Sequence, residues 1–344
     1  LGTKPELMSR SLLYVRIICI GVPASSVYNF GAAILRSIGD SKTSLYVLAT
    51  SGLVNVALNL VFVCLLGMTV DGVALATIIS QYISAVWIVI VLIKRRGESY
   101  ALVIKNIRLE LAVIKRIMRI GLPIAFQSVL FSISNIVVTA ALNTFPPNVV
   151  NAKTIAFNIE GITYTAMNGF SNAAMTFVGQ NWGAKKYSRI NKASLYAILQ
   201  VTIVGIAVAQ TEIFFGAELA GLYIDSSFEN GPAVVAAVQE IFSIMLATYF
   251  LCGIMEVMSG ILKALGFSTI SMIACLIGLG FRVAWLVFVV PTERFHTILG
   301  LFLSYTLSWI LTIVLLGIAF VYAWRKLGIM RGAKLEKLND YIIE

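Results

Sequence analysis

Among the ionisable residues inside long apolar runs three stand out, Glu160, Glu256 and Arg282. A charge there is costly and is expected to face a cavity or a partner. A carboxylate in poorly solvated surroundings is hard to keep ionised, so Glu256 suits the exchange of a proton or the holding of a small cation. The competing structural expectation is an ion pair with Arg282 or Lys153 that only joins helices. Glu160 opens a polar series in which Tyr164, Asn168 and Asn172 follow at intervals of four residues. That spacing puts all four on one helical face, and Asn158, Thr165 and Ser171 add polarity nearby. Such a stripe does not face lipid; it either lines a water-filled cavity or buries hydrogen bonds between helices. Tyr28, Tyr164, Phe126 and Phe170 either offer aromatic faces to a cationic ligand or are packed. Nothing points to an enzyme. The chain has one histidine, His296, and no H-E-x-x-H or G-x-S-x-G motif. The phosphate-cradling G-x-x-x-x-G-K-[ST] loop is also missing, which argues against ATP-driven transport.

The elements that must carry these residues are membrane-spanning helices. Mean hydropathy is +0.91, and 12% of the 344 residues are charged against about 25% in soluble domains. Nine apolar runs reach the length needed to cross a bilayer as helices. They cover about 12–35, 44–66, 72–93, 113–143, 149–179, 193–215, 233–262, 268–290 and 297–323. The runs lack the alternation of a membrane barrel. The class is therefore an all-α polytopic membrane protein. Cys19, Cys64, Cys252 and Cys275 lie in these runs and are expected to be packing residues. Alternate loops hold twenty Lys and Arg on one side and three on the other. The positive-inside rule then predicts a cytoplasmic C-terminus and an outer N-terminus. The net charge of +10 is thus a signal of topology and not of nucleic-acid binding, although basic loops can attract anionic lipid.

A repeat organises the chain. Ile34-Leu35-Arg36 with Gly39 and Ser41 matches Ile261-Leu262-Lys263 with Gly266 and Ser268. Further on, Ile79-Ser80-Gln81-Tyr82 resembles Leu303-Ser304-Tyr305-Thr306. Residues 10–96 and 233–326 are read as two copies of a three-helix unit in the same direction, a pattern common in transporters. The repeat pairs Asn29 with Glu256. Gly39 and Gly266 suit turns, and Gly179 to Lys186 is expected to form a tight cytoplasmic turn. The resulting organisation is 1–95 as the last three helices of an N-terminal lobe and 96–112 as a cytoplasmic linker. Residues 113–326 form a six-helix C-terminal lobe, and 327–344 a cytoplasmic tail. The second lobe has three helices with no counterpart ahead of 1–95. The expectation is an N-terminally truncated piece of a twelve-helix, two-lobe protein, inactive alone.

Several motifs fall on predicted helix ends. They are Tyr28-Asn29, Leu35-Arg36 with Gly39-Asp40-Ser41-Lys42, Asn55 and Asn59, and Gly72-Val73-Ala74-Leu75-Ala76 through Gln81. Ile120-Gly121-Leu122-Pro123, Thr176-Phe177-Val178-Gly179-Gln180-Asn181-Trp182-Gly183-Ala184 and Arg189 follow. On these residues the sequence resembles the multidrug and toxic compound extrusion (MATE) family over nearly its whole length. The resemblance implies two six-helix lobes around a central cavity and alternating access. It also implies efflux of organic, often cationic, compounds driven by Na⁺ or H⁺, with no other cofactor. Some members carry an acidic residue where this sequence has Cys252, and some a Glu near Phe131, whose polar neighbours here are Gln127 and Asn135. The expected cavity set is Glu256, Asn29, Glu160, Tyr164, Asn168, Asn172, Gln127, Asn135, Tyr28 and Arg282, with no catalytic or metal-binding residue. The expected protein is a monomeric antiporter of the plasma membrane, with a small organic substrate and lipid as its partners. The alternative is a lipid-linked precursor flippase of a related two-lobe fold. A flippase would need several cavity cations, for which Lys153 and Arg282 are the candidates.

Overall fold

The computed structural model describes residues 5–95, 97, 98, 100–224, 230–329 and 332. Arg96 and most of the expected tail at 327–344 lie outside the described residues. The chain divides into two compact units, Leu1–Leu109 and Glu110–Glu344. The division falls inside the linker expected at 96–112.

In the first unit, helix α1 (Pro5–Ser37) runs beside α3 (Val70–Lys94), and α2 (Ser41–Asn59) continues into a wider π turn at Leu60–Leu65. Tyr28, Ala32, Leu35, Val47, Ile88 and Leu92 form its small core. The α1–α2 turn is closed by chemistry visible in the sequence. Gly39 takes φ of +90°, a conformation cheap only for glycine. Asp40 then caps α2, accepting hydrogen bonds from the Thr43 backbone N–H at 3.1 Å and the Thr43 hydroxyl at 2.8 Å. Arg95, at the far end of α3, reaches the same carboxylate at 2.6 Å.

The Thr43 backbone N–H, then its hydroxyl and the Arg95 charge, hold the Asp40 carboxyl below its usual range. Because the folded value is depressed, this stabilisation is full above the unfolded carboxylate value, about 3.9. It is lost as pH falls through the lower folded value. Asp40→Ala is expected to cost about 1 kcal/mol in thermal unfolding, and Asp40→Asn less, since an amide still caps. Equal melting of both variants and the parent would refute this role.

The second unit holds α4 (Leu111–Leu142), α5 (Pro147–Gly183), α6 (Tyr187–Phe214) and the short α7 (Gly216–Gly221). It continues with α8 (Gly231–Met245), α9 (Tyr249–Ala264), α10 (Ser268–Ala284) and α11 (Ile298–Lys326). Its core joins α5, α6, α8, α9 and α11 through residues such as Met167, Val201, Phe242, Leu246, Phe302 and Leu316. Gly253 lets α9 come close to α5 and α6, because a Cβ there would lie 2.5 Å from the Met167 sulfur and 2.8 Å from Val201. Small residues at such crossings let transmembrane helices approach closely. The Trp324 indole N–H donates to Asn191 Oδ1 at 2.6 Å and ties the end of α11 to α6.

The two segments read from the sequence as repeat copies share backbone detail. Gly266 takes φ of +85° where Gly39 takes +90°. Like α2, α10 ends in a π turn, at Trp285–Val289. The copies differ in their first helix. The run at 233–262 is not one helix but two, separated by a 3₁₀ turn at Leu246–Thr248. The turn expected over 179–186 is shorter, since α5 stays helical to Gly183 and the left-handed residue is Lys185, at φ of +57°.

Eight helical segments among the described residues are long and apolar enough to cross a membrane, α8 and α9 counting together as one across their 3₁₀ turn. The 37-residue α5 has the length but not the composition, because Lys153, Asn158, Glu160, Asn168 and Asn172 interrupt its apolar run. Large apolar side chains cover the surface, Leu65 at 77% exposure and Phe288 at 75% among them. Such a surface fits lipid and not water, and the chain is a multi-pass membrane protein. Cys252 and Cys275 are buried in packing, whereas Cys19 and Cys64 lie on that exposed apolar surface.

A candidate binding cavity in the second unit

The stripe on α5 meets two adjoining hollows within the second unit. Tyr164, Asn168 and Asn172 line a cavity of about 470 Å³. Glu160, one turn earlier, lines a pocket of about 140 Å³, and Tyr164 borders both. The Asn172 amide donates to both the side-chain and backbone oxygens of Asn168 at 3.0 Å, which orders the stripe. Helix α9 brings Glu256 against it. Ser171 donates to the Glu256 backbone carbonyl at 2.8 Å, and Gly260 permits the approach, since a Cβ there would sit 2.6 Å from the Ser171 hydroxyl. Glu256 and Lys263 both line the larger cavity. Among the described residues no cation stands within 4 Å of the Glu256 carboxylate, so the ion pair weighed from sequence is not formed. Lys153 instead lies over the Phe157 ring at 4.6 Å.

Arg282 is also occupied elsewhere. It is 2% exposed and aims Nε and Nη2 at the Ser308 hydroxyl, at 3.1 and 2.8 Å. Its guanidinium lies 4.1 Å from the centre of the Tyr305 ring, and Nη1 has no hydrogen-bond partner among the described residues. Arg282 borders both hollows and so forms part of the wall between them. Gly278, one turn before it, lets α10 close on α11, where a Cβ would collide with Thr312 and lie 3.1 Å from the Ser308 carbonyl. Glu160 accepts a hydrogen bond from the Tyr249 hydroxyl. Tyr249 is the first residue after the 3₁₀ break, which is pinned to α11 by a 2.7 Å contact between the Thr248 and Thr306 hydroxyls. Trp309 packs edge-on against Tyr249 and Tyr305, with ring centres 5.4 and 5.8 Å away. The smaller pocket is therefore an aromatic chamber with one carboxylate and one guanidinium.

The chain and its helical fold are matched in known proteins. The MatE family model covers residues 1–61 and 123–287. The chain belongs to the MatE family. It is 24% identical over 342 residues to the probable multidrug resistance protein YoeA of Bacillus subtilis, covering 96% of this chain and 72% of that protein. It is also 24% identical over 261 residues to the multidrug export protein MepA of Staphylococcus haemolyticus, covering 76% of this chain and 56% of that one. An outward-facing multidrug resistance MATE transporter superposes with a TM-score of 0.81 at 20% identity, covering 96% of this chain and 72% of that structure. A transporter of the MOP superfamily from Pyrococcus furiosus gives 0.82 at 20% identity, with the same coverage. The helices thus follow the two-lobe MATE transporter fold, and the family is one of membrane transporters and not of enzymes.

The remaining candidates in this MatE chain are placed as follows. On α4, Gln127 lines the larger cavity with its amide oxygen buried and without a partner, Asn135 lines the smaller pocket, and Phe131 borders both. Cys252 lines the smaller pocket. Tyr28 and Asn29 belong to the first unit. Tyr28 is buried there and donates to the Ser44 carbonyl at 3.2 Å; Asn29 is exposed and donates to Ser25 at 3.4 Å. Phe126 is exposed, and Phe170 packs partly buried on the core of the second unit. Sequence reasoning passed over Glu212 on α6, which is 5% exposed. It lies against Thr163 with neither carboxylate oxygen in a well-formed hydrogen bond. An acidic residue inside an apolar run was its signal. Tyr249 carried none, and Tyr305, Ser308 and Trp309 stood out only as part of the repeat, because ordinary residues of apolar helices look the same.

Proposed function

We propose that this chain works as a cation-coupled antiporter that exports small organic, often cationic, compounds by alternating access. The observation that carries this is Glu256. It lines a 470 Å³ cavity beside the Tyr164, Asn168 and Asn172 stripe, and no cation among the described residues pairs with its carboxylate. A carboxylate so placed is balanced by a proton, a small cation or the positive charge of a substrate. Because one site accepts only one of these at a time, loading by an ion displaces substrate, which is the exchange an antiporter needs. Relatives named for multidrug resistance and export support the substrate class. The chain spans between about half and three quarters of their length, so transport is ascribed to the protein that contains it. The proposed setting is the plasma membrane, with the basic loops and the C-terminus in the cytoplasm.

A flippase would ask for a cluster of cations around a pyrophosphate. Lys263 and Arg282 line the cavity together with Glu256 and an aromatic wall, a mixed lining better suited to an amphipathic organic compound. The test is uptake of a cationic dye into proteoliposomes carrying an imposed Na⁺ or pH gradient. The expected result is accumulation against the dye's own gradient that collapses when the ion gradient is dissipated. Dye movement that only equilibrates under every gradient would overturn the proposal.

A further inference from the structure

We propose that Arg282 forms a carboxylate-recognising subsite, so that the cavity selects amphipathic compounds bearing an organic carboxylate. The inference rests on the transporter reading and specifies the substrates of that same site. Arg282 is 2% exposed, and two of its nitrogens meet one neutral oxygen, the Ser308 hydroxyl. That hydroxyl already donates to the Tyr305 carbonyl at 2.8 Å, so it gives the guanidinium an orientation and no counter-charge. Nη1 has no hydrogen-bond partner among the described residues. A guanidinium kept solely to join α10 and α11 would be expected to pair with a carboxylate, since an uncompensated buried charge is expensive.

Two carboxylates open onto the same hollows and neither pairs with it. Glu160 takes the Tyr249 hydroxyl, and Glu256 has no cation within 4 Å among the described residues. The planar fork of donors on Arg282 matches a carboxylate in two contacts, which an ammonium cannot do. Trp309 and Phe131 border both hollows and supply apolar contact for the body of such a ligand. Glu256 can then answer a separate cationic group on the same compound.

The test compares a rhodamine free acid with its methyl ester, which share the cationic fluorophore and differ in one negative charge. Binding to the purified chain is read by fluorescence polarisation. The acid is expected to bind about tenfold or more tightly than the ester, the effect of one charge-assisted contact. Arg282→Met is expected to abolish the difference by weakening the acid alone. A second measurement needs no variant: benzoate should displace the acid dye at concentrations where benzamide does not. Equal binding of acid and ester, a preference that survives Arg282→Met, or equal competition by benzoate and benzamide would overturn the proposal. Preferential binding without uphill movement of either dye would overturn the antiporter proposal and leave this subsite standing.

Discussion

Replacing Glu256 by glutamine is expected to lower gradient-driven export of a cationic dye by roughly ten- to a hundredfold, the scale of one lost charge-assisted contact. The amide has nearly the volume of the carboxylate, so the cavity keeps its shape. It holds neither an exchangeable proton nor a negative charge, so substrate and ion no longer compete at one group. The backbone carbonyl of residue 256 still accepts from Ser171, and no cation among the described residues loses a partner. Thermal stability should therefore stay within about 1 kcal/mol of the parent, like a change that removes no packing and no pair. Initial rates in proteoliposomes and a melting curve check both halves. The rate of the variant should also become insensitive to the ion gradient that drives the parent. Parental rates with parental ion dependence would remove Glu256 from the coupling site.

Arg282→Met is expected to raise stability by about 1–4 kcal/mol, the range seen when buried charges give way to apolar residues of similar volume. The guanidinium has no ionic partner within 4 Å among the described residues, and one of its nitrogens is unbonded. Methionine is unbranched and adapts to the space between Ser308 and Tyr305. Ser308 keeps its bond to the Tyr305 carbonyl, so no polar group is newly stranded. Thermal unfolding of parent and variant gives the sign. A marked loss of stability would show that Arg282 serves chiefly to hold α10 against α11. A gain accompanied by lost carboxylate binding would show a residue kept for function at a cost in stability.

Local pattern carried much of the fold. Hydropathy and run length placed the helices because a lipid-buried backbone must satisfy its own hydrogen bonds. The four-residue spacing from Glu160 to Asn172 placed the stripe because helix periodicity is a property of the chain alone. Gly39 and Gly266 marked their turns for an equally local reason, the absence of a Cβ. The 3₁₀ break at Leu246–Thr248 was not legible. Those residues include neither proline nor glycine, and the break is pinned by Thr306, 58 positions away. The partners of the buried charges were equally hidden. Lys153 rests on Phe157, Glu160 accepts from Tyr249, and Arg282 holds Ser308.

By itself the sequence determined that this is a polytopic helical membrane protein with costly polar groups in its spans. Only the tertiary structure decided which of those groups meet. Composition and periodicity act within one helix, whereas the partner of a buried charge is chosen by the packing of helices distant in sequence.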